Sequence, residues 1–124
     1  MKLLNISATN NTPMVSLDTE GKMVIQGRSY NDDATNFYGP VIDWIKGFSS
    51  QKLILEIRLE YLNKSSLNQI YYLLKSVKGN EKIIKATIQW YYEDDDEEML
   101  DIGKTFESQI SIPFKFYGYF EHVN

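Results

Sequence analysis

The chain has 124 residues, a formal net charge of −4, 43% apolar residues and no cysteine. That length makes one domain, 1–124, with enough apolar sequence to bury a core unaided, while the missing cysteines exclude disulfides, a thiol nucleophile and thiolate zinc sites. The acidic balance argues against a nucleic-acid partner, which wants a basic stripe, and the broken apolar run in MKLLNISATNNTP is too short for a secretory core or a membrane span, so a cytoplasmic location is expected.

In chain order, Pro13 to Leu17 and Lys22 to Gln26 read as two short strands around a turn at Asp18, Thr19, Glu20 and Gly21, where glycine supplies the positive φ of a hairpin. Residues Gly27 to Asp33 are polar and loop-like. Ala34 to Phe48 has apolar residues at near-helical spacing, with Pro40 inside. Proline is tolerated in a first turn but not deeper, so a firm helix is expected from about Tyr38 or Gly39.

Leu53, Leu55, Ile57 and Leu59 alternate with Ile54, Glu56, Arg58 and Glu60, as in a strand with one buried face. Leu67, Ile70, Tyr71, Leu74 and Val77 form an i, i+3, i+4, i+7 stripe on a second helix, closed by Gly79-Asn80. Lys82 to Tyr92 predicts a strand with Ile84, Ala86, Ile88, Trp90 and Tyr92 on one side. A third helix from about Asp95 to Ser108 buries Met99, Ile102 and Phe106, and Phe114 to Phe120 is the last strand. The order ββαβαβαβ implies an α/β domain with right-handed crossovers and a largely parallel or mixed sheet.

The turn Asn63-Lys64-Ser65-Ser66 hands a strand over to a helix. Ser66-Leu67-Asn68-Gln69 fits a capping box with Ser66 as the cap. Equally, an exposed hydroxyl at that point is open to a kinase, and a phosphoryl group brings about −1.5 to −2 charge. On sequence alone both readings stand.

The acidic run Glu93 to Glu98 lacks the glycine and distal glutamate of a calcium loop and suits the positive end of the third helix. No metal or other cofactor is expected. His122, the single histidine, lies near the C-terminus, where a mobile surface residue is the expectation. Glu56 and Glu60 flank Arg58 on one strand face, which ion pairing or solvation explains more simply than acid–base catalysis. The glycines form no phosphate loop, so no enzyme is expected. Trp44, Trp90, Tyr71, Tyr72, Tyr91 and Tyr92 read mostly as core, and any that stay exposed are interface candidates.

Five segments together carry a resemblance. They are Thr12-Pro13-Met14-Val15, Ile25-Gln26-Gly27-Arg28-Ser29-Tyr30, Phe37-Tyr38-Gly39-Pro40-Val41-Ile42-Asp43-Trp44, Tyr61-Leu62-Asn63-Lys64-Ser65-Ser66 and Ile88-Gln89-Trp90-Tyr91-Tyr92. In this order and spacing the chain resembles the SiaC family of regulatory phosphoproteins, formerly a domain of unknown function. The resemblance implies a mixed sheet with about three helices, like the anti-sigma-factor antagonist (STAS-like) domains. It also implies a non-enzymatic partner switch: the unphosphorylated protein binds and activates a diguanylate cyclase, a dedicated Ser/Thr kinase releases the cyclase, and a PP2C-type phosphatase resets the system. Cyclic-di-GMP output and biofilm behaviour follow. The family's usual acceptor is a threonine directly after the asparagine of the YLN segment, and here Lys64 stands there. Ser65 and Ser66 are the remaining acceptor candidates, Ser65 ahead because Ser66 reads as the cap; a disabled switch is the third outcome. The implied interaction surface comprises Glu60, Tyr61, Asn63, Lys64 and Ser65. A small-molecule or nucleotide-binding STAS-type domain is the alternative, with the absent phosphate loop against it.

Overall fold

Alternation decides the architecture. In the strand Lys52–Leu62, Leu53, Leu55, Ile57 and Leu59 are at most 2% exposed, whereas Ile54 on the opposite face is 40% exposed. One sheet face is therefore core and the other is largely open. The computed structural model describes residues 2–120. The elements are β1 (Leu4–Ile6), β2 (Met14–Leu17), β3 (Lys22–Ser29), α1 (Ala34–Lys46), β4 (Lys52–Leu62), α2 (Lys64–Gly79), β5 (Lys85–Glu93), α3 (Glu97–Ile110) and β6 (Phe114–Tyr119).

All six strands form one sheet in sequence order, β1-β2-β3-β4-β5-β6. The first two pairings are antiparallel and the last three parallel. A hairpin connection suffices for the antiparallel part, while each parallel step needs a helical crossover. Residues of all three helices join the strands in one buried cluster. The mixed sheet with three helices is the expected fold class, extended by β1, which pairs with β2 from Leu4 to Ile6.

Several boundaries differ for physical reasons. Helix α1 begins at Ala34 and runs through Pro40. Asp33 caps it, accepting from the Asn36 backbone N–H at 3.2 Å and from the Asn36 side-chain amide at 2.6 Å. Proline removes the hydrogen bond to the Asn36 carbonyl, but Asn36 and Pro40 are both exposed, so water replaces it and the helix continues. Strand β3 reaches Ser29 rather than ending at Gln26, because the irregularity between Gly27 and Arg28 is a bulge after which pairing with β4 resumes. Gly27 has φ +126° there. Ile84 precedes β5 and is 74% exposed, away from the face on which alternation places it.

The turn before β3 holds Gly21 at φ +103°, where a Cβ would run into the Lys52 carbonyl oxygen. That position requires glycine on both grounds. Trp90 on β5 is fully buried, and its indole N–H donates to the Met99 carbonyl at 2.9 Å, which ties β5 to α3. Trp44, Tyr71 and Tyr92 are partly buried against the core, but Tyr72 is 55% exposed. His122 lies outside the described residues.

Candidate functional site at the strand-to-helix turn

Asn63 caps α2. Its side-chain oxygen accepts from the Ser66 backbone N–H at 3.0 Å, and its carbonyl accepts from the Leu67 N–H at 2.8 Å. The expectation that Ser66 is the cap is thus corrected. Asparagine three residues earlier takes that role, which makes Lys64, Ser65 and Ser66 the first helical turn. Gln69 reaches towards the Thr35 hydroxyl instead of back to a cap.

The two serines have opposite environments. Ser66 is 0% exposed, and its hydroxyl donates to the Asn31 side-chain oxygen at 3.1 Å. Ser65 is exposed. Its hydroxyl lies 3.3 Å from the Asn31 carbonyl oxygen and 3.4 Å from the Asn63 side-chain oxygen, both acceptors. Lys64 is exposed beside it, as are Glu60 and Tyr61. Of the two acceptor candidates, only Ser65 is an exposed residue.

Asn31, in the loop between β3 and α1, is the hub of the site. It is buried, and its side-chain oxygen accepts from Ser29 at 2.8 Å as well as from Ser66. Its carbonyl accepts from the Asn63 side-chain amide at 3.1 Å. The Asn63 backbone N–H donates to the Ser29 carbonyl at 3.0 Å. The β3–α1 loop and the β4–α2 turn are therefore one hydrogen-bonded unit, every member of which has a partner. Sequence reasoning did not single out Asn31, because nothing local marks it as buried.

Beneath the hub, the Ser29 hydroxyl is 2.6 Å from the Tyr38 hydroxyl. Ser29 spends its proton on Asn31, so Tyr38 donates. Burial pushes the Tyr38 phenol up to about 12. The sign of the pH effect follows. The folded protein holds this proton more tightly than the unfolded chain, so the contribution of Tyr38 to stability is fully present below pH ~10 and is lost between about 10 and 12, by roughly 2–3 kcal/mol. Tyr38→Phe is expected to remove that part of the alkaline slope in denaturant titrations while costing about 1 kcal/mol at neutral pH for the lost bond.

The acidic run divides by position. Glu93 ends β5, Asp96 caps α3 by accepting from the Met99 N–H at 3.0 Å, and Glu97 and Glu98 occupy the first turn. Among the described residues no group of three or more His, Cys, Asp or Glu is placed to hold a metal ion, and no helix is long and apolar enough to cross a membrane.

A model of the SiaC family of regulatory phosphoproteins matches residues 6–119. The chain belongs to this family. It is 29% identical over 119 residues to an uncharacterized protein of Pseudomonas aeruginosa strain UCBPP-PA14, covering 92% of this chain and 94% of that one. The crystal structure of apo-SiaC from Pseudomonas aeruginosa superposes with a TM-score of 0.81 at 30% identity, covering 95% of this chain and all of that one. SiaC crystallised with the diguanylate cyclase SiaD, which it activates, superposes with a TM-score of 0.82 at 28% identity over 94% of this chain and 99% of that one. This SiaC-family chain is therefore a regulatory protein by membership, with the same fold as an activator captured on its cyclase.

Proposed function

We propose that this protein is a non-enzymatic, cytoplasmic partner switch that binds and activates a diguanylate cyclase through the surface around Glu60, Tyr61, Asn63, Lys64 and Ser65, and that phosphorylation of Ser65 releases the cyclase. A Ser/Thr kinase and a PP2C-type phosphatase set the state of Ser65. The observation that carries the reading is the exposed Ser65 in the first turn of α2, beside a buried Ser66. Membership of the SiaC family supports it, as does the SiaC–SiaD complex of Pseudomonas aeruginosa.

The physical logic is local. A phosphate on the first helical turn is compatible with the helix, whose positive end favours anions by about 0.3–1 kcal/mol. The fold then survives modification. What changes is the surface: Ser65 loses its proton donor, and an anion stands beside the Asn31 carbonyl and the Asn63 side-chain oxygen, both acceptors. Intact-mass analysis after incubation with the cognate kinase and ATP should show one added phosphate, and peptide mapping should place it on Ser65. A protein that binds its cyclase yet accepts no phosphate would show that Lys64 has disabled the switch. Phosphate on the folded protein's Ser66 would contradict the assignment.

A further inference from the structure

Strands β3 and β4 run parallel and end side by side, with Arg28 opposite Tyr61 just past the bulge. Tyr30 follows, its ring centroid 5.1 Å from that of Tyr61. Both tyrosines are about half exposed, 49% and 47%. With Arg28, Asn10 and Asn11 they line a cleft of about 350 Å³ whose wall contains no acidic residue. The cleft is preformed, because the Tyr30 N–H donates to the Asn11 carbonyl at 2.7 Å and the Thr9 and Thr12 hydroxyls close the adjoining loop at 2.6 Å. Among the described residues, Arg28 has no carboxylate partner.

We infer that this cleft receives a carboxylate side chain of the diguanylate cyclase, with Tyr30 and Tyr61 as its aromatic wall and Arg28 as the counter-charge. The inference rests on the reading of the protein as a cyclase-binding switch and supplies the centre of that interface. Open α/β sheets bind their partners at the carboxyl ends of the strands, which is where this cleft lies. Tyrosine and arginine are the residue types that dominate interface energies, and two exposed rings in mutual contact form a ready anchor. Charge favours an acidic visitor. Arg28 is the one charged residue lining the cleft and is exposed; Lys64 and the carboxylates Asp32, Asp33 and Glu60 are also exposed on the neighbouring loop, strand and helix ends but do not line it.

The same geometry couples the cleft to Ser65. Tyr30 is followed by Asn31, whose carbonyl accepts from the Ser65 hydroxyl. A phosphate on Ser65 therefore arrives beside the cleft loop and offers Arg28 and Lys64 an anion from within the molecule. It competes with the partner's carboxylate, so modification and docking exclude one another.

The test uses the full-length chain and the diguanylate cyclases of its own genome, with binding measured by calorimetry at low and high salt. Tyr30→Ala and Tyr61→Ala are each expected to weaken binding roughly 10- to 30-fold. Arg28→Glu should weaken it about 100-fold or more, because it places like charge against the carboxylate. Salt should weaken wild-type binding markedly and Arg28→Ala binding much less. Tyr72→Ala, equally exposed but on the groove between α1 and α2, should bind as the wild type does. Thermal midpoints should stay within a few degrees of the wild type for all these surface changes. If one tyrosine variant is unstable, Arg28→Glu and the salt series decide alone. Wild-type affinity in Arg28→Glu and in a stable tyrosine variant overturns the inference while leaving the switch standing. A wild-type chain that binds none of the cyclases overturns the switch itself.

Discussion

Ser65→Glu should lose cyclase binding by about 30-fold or more while keeping its stability, whereas Ser66→Glu should be strongly destabilised. The two residues are neighbours on one helical turn, so the contrast isolates environment from position. At Ser65 the side chain is exposed, and the hydroxyl makes only two long hydrogen bonds, 3.3 and 3.4 Å. Ser65→Ala therefore costs well under ~1 kcal/mol and keeps the cyclase. A carboxylate there is tolerated by the helix N-terminus, but it removes the donor and faces two acceptors at the edge of the docking surface. At Ser66 the same carboxylate would be fully enclosed, pressed against the Asn31 side-chain oxygen that now accepts from the hydroxyl. An unpaired buried charge costs about 3–5 kcal/mol, a large share of the roughly 5–15 kcal/mol that holds a domain together. Circular-dichroism melting should register a fall on the order of 10 °C or more. Ser65→Glu with wild-type affinity for a cyclase that the wild type binds would remove Ser65 from the mechanism. Lys64→Thr is the companion experiment: it restores a hydroxyl at the first helical position, and the kinase should then modify that threonine in addition to Ser65.

One-sided burial explains why so much of the fold was legible. The alternation of Leu53 to Leu59 and the stripe from Leu67 to Val77 each mark a single buried face, and β4 and α2 follow them closely. Where local rules failed, tertiary surroundings outweighed them. Pro40 should have shortened α1, yet the lost bond falls on a solvent face. Leu4 to Ile6 is too short to alternate visibly and gains its strand character only from pairing with β2. The candidate turn was visible because Asn, Lys and two serines stand between a strand and a helix. Its partner loop was not. Glycine at the bulge breaks the alternation of β3, so Arg28, Tyr30 and Asn31 read as loop. The hydrogen bonds that bury Asn31 join residues more than 30 positions apart, and no window of sequence contains both ends.

The two glycines inside helices α1 and α3 should respond to alanine with opposite signs. By propensity alone each Gly→Ala change gains about 0.5–1 kcal/mol, since glycine loses more backbone freedom on folding. Gly39 in α1 has nothing within 4 Å of where an alanine methyl would sit, so Gly39→Ala should stabilise the protein by roughly that amount. Gly103 in α3 faces the sheet. A Cβ there would lie 2.7 Å from Cδ1 and Nε1 of Trp90 and 2.9 Å from Cε1 of Phe116. Trp90 cannot swing away cheaply, because it is fully buried and its N–H is committed to the Met99 carbonyl. Either α3 lifts from the sheet or the indole bond breaks, so an overpacking cost of about 1–3 kcal/mol is joined by roughly 1 kcal/mol for the hydrogen bond. The clash outweighs propensity, and Gly103→Ala should be destabilising by about 1–3 kcal/mol net. Urea titration of both variants checks the pair. Stabilisation of the Gly103 variant would mean that α3 rides further from Trp90 than the close approach requires, and the packing that holds the acidic N-terminus of α3 against β5 would have to be redrawn.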